Sequence, residues 1–380
     1  MSDQALYQEP PGPARPHTFL ATIVFVLAVL AGVSQVLGAL RDPSKLQVPW
    51  NWSDFWQGHT TQKLEKQIDH HMPARERIIA WANSARYLII HGGGEQVRVG
   101  RDDWLFLTEE LRYAKVKGQP LQARADLLRD ASQALAGQGV RLLVALVPDK
   151  ARVQESYMAF GHYPDANRPR YTEGLEALRQ RQVAVVDLLT PMAKGATAEP
   201  VYYRSDTHWN QRGAEIAAQE IARTAQGMRL QLDPASFETT LAAAPVERAG
   251  DLIRMMGLEH MPNALRPTPD REAPATTRKT SASGGGGLLG DSAVPVTLVG
   301  TSYSLRGNFH GYLQQALQAE VLNTAKDGGG FLQAMTDYLK DESFRSAKPK
   351  LLIWELPERF LKDPLDKEPD WLRQVGLTSR

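Results

Sequence analysis

From Val140 onward the chain alternates two kinds of segment, and this rhythm constrains its fold more than any other feature. Short apolar runs read "VRLLVALVP" (140–148), "VAVVDLL" (183–189), "VPVTLVG" (294–300), "AEVLN" (319–323) and "PKLLIWEL" (349–356). Between them lie amphipathic stretches such as "LQARADLLRDASQALAGQG", "YTEGLEALRQRQ" and "QRGAEIAAQEIARTAQG". In the last, Ala214, Ala217, Ala218 and Ile221 fall at the i, i+3, i+4, i+7 spacing of one helix face. Strands alternating with helices of this length predict a parallel sheet covered on both faces, an α/β fold. Ahead of that rhythm, "VRVGRDDWLFL" (97–107) alternates, turns and resumes, as a hairpin does.

A second constraint sits at the N-terminus. The 22 residues from Phe19 to Leu40 carry no charge. At about 1.5 Å per helical residue they span the roughly 30 Å hydrocarbon core of a bilayer. A cleaved signal peptide would have a shorter apolar region and a better small-x-small site than "LGAL". The expectation is a transmembrane anchor over 19–40, a cytoplasmic tail over 1–18, and an exported remainder. Residues 41–95 then form a membrane-proximal helical region, with Trp50, Trp52 and Trp56 placed as interfacial anchors. Residues 96–380 form the main domain. Within it, 264–293 ("RPTPDREAPATTRKTSASGGGG" at its centre) lacks an apolar face and predicts a mobile loop. No Gly-Lys-Ser/Thr follows its glycines, so it is not a phosphate loop.

Composition closes some doors. Forty-four Lys+Arg against 43 Asp+Glu give a net charge of +1, no field for nucleic-acid binding. There are no cysteines, which excludes thiolate nucleophiles, disulfides and thiolate metal sites. No cofactor or metal is expected.

Two stretches carry chemistry. In "VTLVGTSYSLRGNF" an apolar strand ends in a tight turn holding Thr301 and Ser302. Such turns lie at the C-terminal edge of a parallel sheet, where ligands bind. They are also ordinary strand–turn–helix links with a Thr or Ser cap. In "SDTHWN" Asp206 and His208 are two apart, so both project to one side of an extended segment. That suits an imidazole base oriented by a carboxylate. Asp206 as a helix cap and Asp-x-His as a metal ligand pair are the competing readings. "DHH" (69–71) reads as a solvated helix face.

Together "YYRSDTHWNQRG", "VGTSYS" followed by "NF", "VRVGRDDWLF", "LVPDKARV" and "LIWELPERFL" resemble the alginate O-acetyltransferases of the AlgJ/AlgX type, over roughly 60–365. The resemblance implies an SGNH-hydrolase-like α/β domain with a circularly permuted motif order, Asp and His before Ser. It implies Ser302 as nucleophile, His208 as base, Asp206 as orienting acid and Asn308 in the oxyanion hole. Trp209, Tyr203 and Arg204 flank the pair and are expected to bind substrate, with Tyr202 beside them. The AlgX branch carries a further carbohydrate-binding module, for which this chain, ending at Arg380, leaves no room. The AlgJ branch, or its relatives in acetylated-cellulose systems, fits better. The implied function is periplasmic transfer of acetyl groups onto an exported polysaccharide, alginate or cellulose. The acetyl donor would come from an integral-membrane O-acyltransferase working with other exopolysaccharide-export components. An acetylesterase with the same triad and a non-catalytic, membrane-tethered polysaccharide-binding protein remain as alternatives.

Overall fold

The computed structural model describes residues 16–40, 50–71, 75–113, 119–280, 294–363 and 370–377. They divide into two units, one ending at Ala82 and one beginning at Asn83. The division falls inside the helix Arg75–Ile90. In the first unit a 25-residue helix, Pro16–Leu40, covers the apolar run. Several of its side chains lie outside the described residues. Among those described, no helix is long and apolar enough to cross a membrane, so the anchor rests on the sequence alone. Residues 1–15 of the expected tail also lie outside. The helices Trp52–Trp56 and His59–His71 follow. Trp50, Trp52 and Trp56 are exposed and pack with Phe55 as an aromatic cluster.

The second unit opens with the expected hairpin, β1 (Val97–Val99) and β2 (Leu105–Leu107), paired antiparallel. All five apolar runs become strands of one parallel sheet: β3 (Arg141–Val147), β4 (Val185–Asp187), β9 (Val296–Val299), β10 (Val321–Asn323) and β11 (Leu351–Pro357), in the order β10-β9-β11-β3-β4. Four further strands, β5 (Phe237–Leu241), β6 (Val246–Arg248), β7 (Asp270–Glu272) and β8 (Ala275–Lys279), lie outside the sheet.

The sheet is buried because its strands are apolar on both faces. Successive residues point to opposite sides. Leu143, Ala145, Val147, Leu298 and Ile353 face the helices Gln211–Gly227 and Phe309–Leu317. Leu142, Val144, Leu146, Leu352 and Trp354 face Pro120–Ala136, Arg168–Gln180 and Gln333–Lys340. Ala214, Ala217, Ala218 and Ile221 are buried, as the spacing predicted. Fully burying Ile221 is worth about 1.5–3 kcal/mol.

Because all five strands are parallel, their C-terminal ends share one edge. That edge receives Pro148–Lys150 after β3, Gly300–Ser302 after β9 and Glu358 after β11.

The expected loop over 264–293 is corrected in part. Asp270–Glu272 and Ala275–Lys279 are β7 and β8, pairing antiparallel with β6 and β5 as two ribbons. Ala275 and Thr277 of β8 are half-buried, and Thr239 and Thr277 face each other across β5 and β8 at 2.6 Å. Alternating Thr and charge, rather than apolar residues, builds these strands, which is why composition hid them. Residues 281–293 lie outside the described residues.

Candidate active site

The Asp206–His208 segment is a closed loop between the helices Leu189–Ala196 and Gln211–Gly227, not a direct extension of β4. Tyr202 and Trp209 bridge antiparallel at its base, and the Tyr203 amide donates to the His208 carbonyl at 3.1 Å. Three partners fix its tip. The Lys150 ammonium, fully buried, donates to the carbonyls of Leu105 (2.5 Å), Arg204 (3.0 Å) and Asp206 (2.9 Å). Burial pushes that ammonium down to about 8, against nearby carboxylates that favour its charge. Asp270 on β7 accepts from the amides of Arg204 and Ser205, at 2.7 and 2.9 Å. Gly250 lies so close that a Cβ there would stand 2.0 Å from the Ser205 carbonyl oxygen.

Asp206 does not cap the following helix. Asn210 does, accepting from the Gly213 amide at 2.9 Å. The Asp206 carboxylate instead turns to the histidine. Oδ1 stands 2.5 Å from His208 Nδ1 and also accepts the His208 backbone amide at 3.0 Å. Oδ2 accepts from Arg248 at 2.9 Å and from the Asp251 amide at 3.1 Å. Burial pushes the Asp206 carboxyl up, but its bonds and attraction to His208 and Arg248 win and hold it far below the usual carboxylate range.

The opposite nitrogen, His208 Nε2, lies 2.6 Å from Ser302 Oγ. Ser302 opens a short 3₁₀ turn straight after β9. Glu355, a carboxylate inside the otherwise apolar β11, fixes this turn. It accepts from the Thr301 amide (2.7 Å), the Thr301 hydroxyl (3.0 Å) and the Ser304 hydroxyl (3.1 Å). Burial pushes the Glu355 carboxyl up, against those bonds. A Cβ on Gly300 would stand 2.5 Å from Glu355 Oε2, so only glycine admits this contact. Tyr303 joins the two loops: its hydroxyl donates to the Thr207 carbonyl at 3.1 Å, and its ring meets His208 edge-on at 4.9 Å. Ser304 is buried against Glu355, while Ser302 is half-exposed. Of the two serines, Ser302 alone meets the histidine.

The structure thus brings Asp206, His208 and Ser302 into one hydrogen-bonded line. The flanking residues sort differently. Trp209, expected to bind substrate, is 0% exposed and packs against Tyr303 and Phe309, with ring centroids 5.0 and 4.7 Å away. It is core, because the base of the loop must be sealed where helix and sheet meet. Tyr202 is likewise buried, donating to the Pro148 carbonyl at 2.5 Å. Arg204 bonds the Pro269 carbonyl at 3.1 Å and lines a separate cavity. Tyr203 lines a cavity of about 400 Å³ with Arg248, which bonds Asp206, and the Leu305–Asn308 stretch that follows Ser302. Asn308 lines the same cavity, in the left-handed region at φ 53°, and its amide donates to Thr277 on β8 at 2.9 Å.

Asp251 completes the constellation. It accepts from the Thr207 amide at 2.7 Å and stands 3.6 Å from His208 Nδ1. Burial, then the Asp206 charge, pushes its carboxyl up. Asp206, His208 and Asp251 bring ligating atoms together as a metal site would. The Arg248 guanidinium already sits on Asp206, which suits a proton relay and opposes a second cation.

Residues 97–358 match the family model of the AlgX acetyltransferase SGNH hydrolase-like domain. The chain is 36% identical over 327 residues to a probable alginate O-acetylase AlgJ of Pseudomonas putida, covering 82% of this chain and 84% of that protein. The chain belongs to this AlgX-type SGNH-like acetyltransferase family. The solved O-acetyltransferase domain of P. putida AlgJ superposes with a TM-score of 0.63 at 35% identity, covering 73% of this chain and 98% of that one. AlgX of Pseudomonas aeruginosa shares the fold, with a TM-score of 0.60 at 23% identity, covering 78% and 70%. The family match contains every strand of the sheet and all three residues of the hydrogen-bonded line. The fold is therefore SGNH-hydrolase-like, as the motifs implied, with Asp206 and His208 preceding Ser302 in the chain.

Two positioning residues left a trace in the sequence. Lys150 follows the proline that closes β3, and Glu355 is a charge within a buried run. Arg248 and Asp251 left none, since "VERAGD" has neither period nor motif.

Proposed function

We propose that this protein transfers acetyl groups through an acetyl-Ser302 intermediate onto hydroxyls of an exported polysaccharide. The unbroken line Asp206–His208–Ser302 carries the reading. His208 Nε2 takes the Ser302 proton as Oγ attacks the acetyl carbon of a donor ester, and returns it to the departing alkoxide. A sugar hydroxyl then gives its proton to Nε2 and attacks the acetyl-serine. The C–Oγ bond breaks, and Ser302 recovers a proton from His208. Asp206 holds the Nδ1–H tautomer and offsets the imidazolium charge. General-base assistance of this kind is worth roughly 10²–10⁴-fold. Asn308 serves as an oxyanion donor, worth about 10²–10³-fold, with Thr277 steering its amide.

Relatives named as probable alginate O-acetylases make alginate, a polyuronate, the acceptor in this reading. In this reading the uncharged run 19–40 anchors the protein in the inner membrane, with its catalytic domain exported to the periplasm. There an integral-membrane O-acyltransferase would supply the donor. The test is acetyl transfer from a chromogenic ester to oligomannuronate and to cello-oligosaccharide, followed by mass spectrometry. Acetylated oligomannuronate that disappears with Ser302→Ala is the expected result. Acetate release with neither sugar acetylated would replace the transferase with an esterase.

A further inference from the structure

The cavity beside the triad has charged walls, and almost every charge on them is already matched within the protein. Asp270 is spent on the Arg204 and Ser205 amides. Glu272 accepts from the Tyr203 hydroxyl and, at 3.1 Å, from the Gln211 amide. Arg248 bonds Asp206 and lies over the Tyr203 ring, 4.6 Å from its centroid. Arg306 pairs with Asp327 at 3.1 Å. Arg254 differs. It lines the same cavity and is exposed, and its guanidinium has no hydrogen-bond or ion-pair partner among the described residues. Its place is fixed all the same. It lies on the helix Asp251–Met255, whose Leu252 and Ile253 are buried against the β1–β2 hairpin and whose Asp251 stands at His208.

We propose that this cavity is the acceptor subsite and that Arg254 grips a carboxylate of the acceptor's uronate residues. This rests on the transferase reading above. A guanidinium presents parallel donors that match a carboxylate in a two-pronged contact, which an ammonium cannot reproduce. The cavity's volume suits a small-molecule subsite. Tyr203 supplies a ring wall, although its outer face is shared with Arg248. The positive charge on the cavity wall would hold an acidic polymer in register while its free hydroxyl reaches the acetyl-enzyme. Neutral glucans offer Arg254 only uncharged acceptors, without the charge-assisted two-pronged contact, so the residue determines preference rather than chemistry.

The experiment compares acceptor KM for oligomannuronate and for cello-oligosaccharide in wild type, Arg254→Gln and Arg254→Lys, at low and high salt. In Arg254→Gln the KM for the uronate is expected to rise about tenfold relative to that for the neutral acceptor. Arg254→Lys is expected to recover part of that preference. Salt is expected to erode the wild-type preference and leave that of Arg254→Gln flat. Thermal melts of each variant identify loss of fold. An equal change for both acceptors, or none, in a folded Arg254→Gln overturns the subsite while leaving the transferase intact. A wild type that hydrolyses ester but acetylates neither sugar overturns both.

Discussion

The parallel sheet and the ribbons β5–β8 are built by different rules and contribute differently to the site. The sheet is apolar on both faces, and its C-terminal edge carries Ser302 and the groups that fix the Asp206–His208 loop against it. Ser302 follows β9, Glu355 fixes its turn from β11, and Lys150 after β3 holds the loop carrying Asp206 and His208. The ribbons are polar and half-exposed, and they deliver what surrounds the reaction. Arg248 braces Asp206, Thr277 bonds the Asn308 side chain and Asp270 pins the loop, while Arg254 lines the cavity from the short helix Asp251–Met255 that follows β6. The proposed chemistry thus rests on a scaffold whose burial fixes it, while the ribbons supply polar contacts around it that can vary with less disturbance to the core.

The sharpest way to break this division is at its centre. Asp206→Asn is expected to keep the fold but leave His208 in the wrong tautomer, cutting turnover about 10⁴-fold by analogy with the serine-protease aspartate. Measuring ester turnover and melting temperature together checks it. A near-native rate, with His208→Ala inactive, would reduce the site to a Ser–His dyad.

The next effect tests the scaffold itself. Lys150→Met leaves three buried carbonyls without their donor and should cost about 2–3 kcal/mol in stability. Chemical denaturation measures this, and an unchanged midpoint would remove Lys150 from the support of the loop.

The smallest effect belongs to the arms and shows in pH dependence. Arg248 helps hold the Asp206 carboxyl low, so their attraction stabilises the fold where Asp206 is ionised. That contribution is complete above the unfolded carboxyl's range near pH 4 and is lost as pH falls through the lower folded value. Arg248→Gln should therefore lower the melting temperature fully above about pH 5, and the deficit should narrow below about pH 4. A deficit that does not change with pH would make Arg248 a packing residue.

The same contrast explains what the sequence made legible. Strands buried on both faces must be apolar runs, so all five sheet strands were readable. So was the Ala214–Ile221 helix face. Asp206, His208 and Ser302 were singled out through the family resemblance, because spacing alone left a helix cap, an ordinary strand-end turn and a metal pair open. The ribbons were not, since "FETTL", "VER", "DRE" and "ATTRK" are short and polar and owe their pairing to partners far along the chain. Trp209 misled for a related reason. An aromatic beside a candidate base looks the same in sequence whether it faces solvent or core, and here the closed loop turns it inward.

The central claim is that Ser302, not Ser304, carries the acetyl group, because only Ser302 meets His208 while Ser304 is held by Glu355. The direct measurement is peptide mass spectrometry of the protein quenched during turnover of an acetyl ester. Wild type, Ser302→Ala and Ser304→Ala are run side by side. One acetyl group is expected on Ser302 in wild type and in Ser304→Ala, and none in Ser302→Ala. Acetyl on Ser304, or an adduct that survives Ser302→Ala, would contradict it.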